Sequence, residues 1–90
     1  MKTKTSNTTV NYESQSVNPQ TTVEFTKIVN DNNITVHGKI IKNGKEVGSI
    51  AYKEVDDYLI ISYKPFSALT AEEVASISAL APKCVAEAIA

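Results

Sequence analysis

The chain of 90 residues has no arginine and no tryptophan, a single histidine, a single cysteine and three glycines. Each shortage removes a class of function. Arginine supplies the planar fork that grips phosphate and reads guanine. Its absence, with a formal net charge of −1, leaves no basic field for nucleic acid, so no nucleic-acid partner is expected. One cysteine, Cys84, excludes an intrachain disulfide and a cysteine-based zinc site. It is expected as a small buried apolar residue on a helix. The single histidine, His37, has no second imidazole or ordered carboxylate pattern to complete a metal site. No metal and no cofactor are therefore expected. The glycines Gly38, Gly44 and Gly48 are scattered through one hairpin and form no phosphate loop.

Long apolar runs are missing as well. No stretch approaches the ~20 residues a membrane helix needs. Residues 1–22 lack the apolar core of a secretory signal, so a cytoplasmic or virion location is expected.

What remains has a clear order. Residues 1–22, MKTKTSNTTVNYESQSVNPQTT, are polar and read as a flexible arm. The TVNY within it has the β-propensity to add to a sheet edge, for instance that of a neighbouring subunit. Residues 23–90 read as one small domain. TVEFTKIV (22–29) alternates until Ile28 breaks the phase, which suggests a bulge or a twist. NDNN (30–33) is a turn by composition. ITVHGKIIK (34–42) and KEVGSIAYK (45–53) are strands joined at Asn43-Gly44, a pair suited to a type I′ turn with positive φ at both positions. EVDD turns the chain again into YLIISYK (58–64), which Pro65 ends.

The period then becomes helical. Thr70 and Glu73 fit a capping box, and Leu69 and Val74 fit the hydrophobic staple around it. Val74, Ile77, Ala81, Cys84 or Val85, and Ala88 or Ile89 form one apolar stripe. The stripe stays in phase across Pro82, which predicts one kinked helix; a short second helix with Pro82 in its first turn is the alternative. The expected fold is α+β: a four-stranded, mainly antiparallel meander with one C-terminal helix packed on one face and a flexible N-terminal arm.

A two-residue turn at Asn43-Gly44 pairs Lys42 with Lys45, Ile40 with Val47, Gly38 with Ser49 and Val36 with Ala51. That register puts a patch of small residues under the alanine-rich helix. It puts Ile41, Ile50 and Tyr52 on the opposite face, which is more apolar surface than a small domain leaves in water. One helix cannot cover both faces, so the N-terminal arm, a second copy of the chain or a different partner is expected on the second. The expected interface residues are Ile41, Ile50, Tyr52, Tyr58, Tyr63 and Tyr12, tyrosine being favoured in contacts.

Catalytic constellations are not legible. Ser62, Ser67, Ser76 and Ser78 have no candidate base beyond His37. Asp56-Asp57, near Glu54, lies in a loop where aspartate is favoured for turn geometry alone. The run NGKEVGSIAYKEVDDYLIIS (43–62) resembles the central hairpin of the GNAT-type N-acetyltransferases. Those enzymes continue into a glycine- and arginine-rich loop that holds coenzyme A. Here KPFSALTAEEVA follows, without either residue, so the resemblance transfers neither activity nor site residues. The expectation is a protein that is not an enzyme and that binds protein: itself, as a homo-oligomer, a larger protein, or both. A small structural or auxiliary component of a phage particle fits that description. A small inhibitor or adaptor that blocks one larger host protein is the alternative.

Overall fold

A computed structural model describes residues 7–31 and 33–90. Its elements are β1 (Asn7–Asn11), β2 (Gln15–Asn18), β3 (Thr21–Asn30), β4 (Asn33–Lys42), β5 (Lys45–Lys53), β6 (Tyr58–Tyr63), a short 3-10 turn (Phe66–Ala68) and α1 (Ala71–Ile89). The class is α+β, with one antiparallel sheet and one C-terminal helix. The sheet has six strands, not the expected four. Both additional strands come from the polar N-terminal segment, whose first six residues lie outside the described part of the chain. β1 and β2 lie end to end along the outer edge of β3, so Asn7 to Asn18 add to this chain's own sheet. Few apolar side chains are needed there, because an edge strand is held mainly by backbone hydrogen bonds to its neighbour.

From β3 onward the sheet is a meander in the order β3-β4-β5-β6. The β3–β4 ladder is unbroken from Thr21↔Lys42 to Asn30↔Asn33, so the expected bulge at Ile28 is absent. The phase break has a different cause. Lys27 occupies a helix-side position, and its Nζ donates to the Ala88 carbonyl at 2.7 Å. A lysine there meets the carbonyl-rich, negative end of the helix dipole.

At the β4–β5 turn, Asn43 and Gly44 have φ of 52° and 81°, as a type I′ turn requires. Lys42 faces Lys45 as expected, but the register slips by one residue between Ile41↔Glu46 and Ile40↔Gly48. Val47 is the extra residue of a β-bulge. Beyond it every pairing differs from the simple hairpin: Gly38 faces Ile50, His37 faces Ala51 and Val36 faces Tyr52. The expected face assignment is thereby corrected. Ile50 and Tyr52 join Val36 and Ile40 on the helix side instead of opposing them.

One core follows. Val23, Phe25, Val36, Ile40, Val47, Ile50 and Tyr52 from the sheet meet Leu69, Ile77, Ala81, Val85 and Ala88. Gly38 and Gly48 are close-approach positions. A Cβ on Gly48 would lie 2.5 Å from the Ser62 carbonyl oxygen. α1 is continuous through Pro82. Ser78 and Pro82 both face solvent, so water can reach the carbonyl whose intrahelical partner the proline removes.

Candidate functional site

The expected interface residues do not converge on one surface. Ile50 is 1% and Tyr52 8% exposed, both beneath α1 of their own chain. Burial, reinforced by the carboxylates of Glu54 and Asp57, pushes the Tyr52 phenol above its ordinary pKa. Ile41 is half-buried on the open face, opposite Thr22 and Glu46. Tyr12 is exposed between β1 and β2, its N–H donating to the Phe25 carbonyl. Tyr58 and Tyr63 are the first and last residues of β6, on opposite faces of the strand. His37 is exposed on the open face between Thr26 and Ala51, and Asp56 and Asp57 are exposed in the β5–β6 turn. Among the described residues no group of three histidine, cysteine or acidic side chains is placed to hold a metal ion. No described helix is long and apolar enough to cross a membrane.

Among the described residues the most heavily bonded side chain is Glu73, 3% exposed in the first turn of α1. Its Oε1 accepts from Lys42 Nζ and from the Thr70 N–H, each at 2.8 Å. Its Oε2 accepts from Thr21 Oγ1 at 2.7 Å and from Asn18 Nδ2 at 2.9 Å. The Thr70 hydroxyl completes the capping box by accepting from the Glu73 N–H. These donors, with the Lys42 ammonium foremost, hold the Glu73 carboxyl well below the ordinary carboxylate range. Lys42 also donates to the Ala68 carbonyl at 2.7 Å. One carboxylate thus ties β2, β3, β4 and the helix start together. Its bonding capacity is filled by its own chain, which makes it a structural clasp.

With Lys27 at the other end, the helix is held along β3 at both termini. Thr21 to Lys27 spans about 20 Å of strand, and Glu73 to Ala88 spans about 22 Å of helix. The capping box was legible in the sequence, but the clasp was not. Its three remaining donors, Asn18, Thr21 and Lys42, lie 31 to 55 residues away along the chain.

The two edges of the sheet differ. The β1/β2 edge is irregular: residues 12–14 separate its strands, and the register shifts again between Ser16 and Asn18. Such breaks protect an edge from pairing. The β6 edge, YLIISY, keeps an unbroken register with β5, carries no charged residue and, among the described residues, pairs with no other strand. Ile60 is 51% and the following Phe66 64% exposed. Phe66 packs edge-to-face on Tyr63 with ring centroids 6.0 Å apart.

A shallow groove of about 440 Å³ lies elsewhere, at the β4–β5 turn between Lys42, Lys45, Val47 and Ala68. Comparison with known proteins finds no family model, no curated protein and no solved structure that matches this chain.

Proposed function

We propose that this chain is a non-catalytic protein-binding component that self-associates as part of an assembly. One observation carries the reading: among the described residues the sheet keeps one edge guarded and leaves the other unpaired, uncharged and largely apolar. An edge of that kind is a template for a further strand, and strand addition is an established mode of protein recognition. Internal satisfaction of Glu73 supports the same reading, because the one strongly perturbed carboxylate is engaged in holding the fold.

Sedimentation equilibrium on the full chain tests it, from about 1 µM to about 1 mM, a span that covers small transient interfaces. A weight-average mass that rises above that of one chain with concentration is the expected result. A single-chain mass throughout would overturn self-association and favour the inhibitor or adaptor that engages one larger protein.

A further inference from the structure

The β6 edge specifies its own partner. Lys64 N–H donates to the Val47 carbonyl at 2.8 Å, while Tyr63 lies opposite Gly48. In an antiparallel ladder this makes Tyr63↔Gly48 a pair without mutual hydrogen bonds, and the pattern alternates from there. Tyr58, Ile60 and Ser62 therefore direct their backbone groups inward to β5. Leu59, Ile61 and Tyr63 direct theirs outward, and among the described residues no strand pairs with them.

The outward series is closed at both ends. The next outward position before it, Asp57, has its N–H engaged by the Glu54 carbonyl at 3.1 Å. The next one after it is Pro65, which has no N–H. The 3-10 turn beyond Pro65 folds back over the sheet, where Ala68 meets Lys42, and leaves the edge open. Three N–H and three C=O groups thus stand at two-residue spacing, symmetric about Ile61.

We infer that the partner of this edge is the same edge of a second copy, paired antiparallel about a two-fold axis at Ile61. The inference rests on the self-association proposed above. In this register Ile61 faces Ile61 of the second copy and Leu59 faces its Tyr63, so every outward group of both strands is bonded. Self-complementarity of one patch is what a two-fold interface demands. The side chains agree: on the helix side the new pairs are all apolar. On the open side Ile60 faces Ser62, and Lys64 faces Tyr58, next to Asp57 of the second copy. Opposite charges at the two ends of β6 meet in antiparallel pairing and repel in parallel pairing. The joined sheet is ten strands across, five positions from each copy, which is about the limit for an open twisted sheet. The patch is short, so the dimer is weak and concentration-dependent.

Two measurements on the full-length protein test this. Ile61→Pro removes an N–H that points outward and costs the β5–β6 ladder no bond. It is expected to keep the far-ultraviolet circular dichroism and to weaken the dimer at least about tenfold. The second readout leaves the edge backbone and the helix-side residues intact. In a Cys84→Ser background, Ile60→Cys and Ser62→Cys are made separately on the open face and mildly oxidised. Directly opposed residues of a pair without mutual hydrogen bonds lie about 4.5 Å apart at Cα, within disulfide reach. The expected result is a covalent dimer only when the two proteins are mixed. Cross-linking of Ile60→Cys alone would move the axis to Ile60 and overturn the register. A chain that self-associates in sedimentation, yet neither cross-links in the mixture nor loses association with Ile61→Pro, would overturn the inference and leave the proposed function standing. A chain that never self-associates would overturn both.

Discussion

The two faces of the sheet are built from the same strands and share almost nothing else. The helix side carries Val23, Phe25, Val36, Ile40, Ile50 and Tyr52, all buried. The open side carries Thr22, Glu24, Thr26, His37, Lys39, Ser49 and Lys53 at the intervening positions, with Ile28, Ile41 and Ile60 interspersed. A sheet with one packed and one solvated face is the ordinary antiparallel arrangement. This separation depends on one extra residue, Val47. Without the bulge Ile50 and Tyr52 would sit across from the core of β4, and a one-residue slip sends a whole strand's side chains to the wrong side. The lesson is that alternation in β5 has to be counted from Gly48 onward and not from the turn.

Adjacent positions in β5 give the sharpest contrast. Ile50→Asp puts a charge into a site only 1% exposed and is expected to unfold the chain, a loss of about 4–5 kcal/mol or more. Ser49→Asp, one residue earlier on the open side, is expected to cost no more than about 1 kcal/mol. Urea denaturation of both variants checks the pair. Equal losses would mean that the two faces are not distinct.

How far this was legible in the sequence depends on the kind of signal. The Asn43-Gly44 turn, the four meander strands, the capping box at Thr70 and Glu73, and the continuous helix all rest on local chemistry, and all are present. The bulge had one local sign, Gly48 inside a strand, since glycine there often marks a bulge or a close backbone approach, but residue type alone does not say that the register slips at Val47. What requires it is tertiary: Ile50 and Tyr52 belong on the helix side, and Gly48 lies where a Cβ would come within 2.5 Å of the Ser62 carbonyl oxygen. β1 was legible in TVNY as an edge-adding strand, although it adds to its own chain's β3; β2 was hidden because an edge strand needs little apolar side chain. Lys27 misled by breaking an apolar phase that the backbone keeps. Of the six expected interface residues, Tyr58 and Tyr63 belong to the strand that now carries the proposal, although the backbone of that strand, not its tyrosines, marks the edge.

The polar exception on the covered face sets the acid stability. Glu73 is ionised in the clasp, with its folded pKa depressed. Its contribution is therefore full above the unfolded carboxylate value, about 4.3, and is lost as pH falls below it toward the folded value. Thermal midpoints measured from pH 7 down to pH 2 are expected to fall steeply below about pH 4. Glu73→Gln keeps the shape but abolishes that titration, so its midpoint is lower at pH 7 and its acid limb flatter. Parallel acid limbs in the two proteins would exclude Glu73 as the group responsible. Gly48→Ala probes the same face through the backbone. Its Cβ would meet a carbonyl rather than a movable side-chain tip, so a loss of about 1–3 kcal/mol in urea is expected.

The smallest effects should come from the open side, and Ile40 and Ile41 allow the comparison within a single dipeptide. Ile40 is fully buried against Val47 and the helix-side core. Ile40→Thr places a hydroxyl there without a partner and removes packed carbon, for a loss of about 2–3 kcal/mol. Ile41→Thr acts between Thr22 and Glu46, where a β-branched residue replaces another and the hydroxyl meets water, for about 0.5 kcal/mol. Both variants keep β-propensity nearly constant, so the difference between them measures the faces and not the strand. If Ile41→Thr costs as much as Ile40→Thr in dilute protein, the open face is packed within the monomer. If its cost grows with protein concentration, the open face itself is a contact between copies, and the association would then extend beyond the β6 edge.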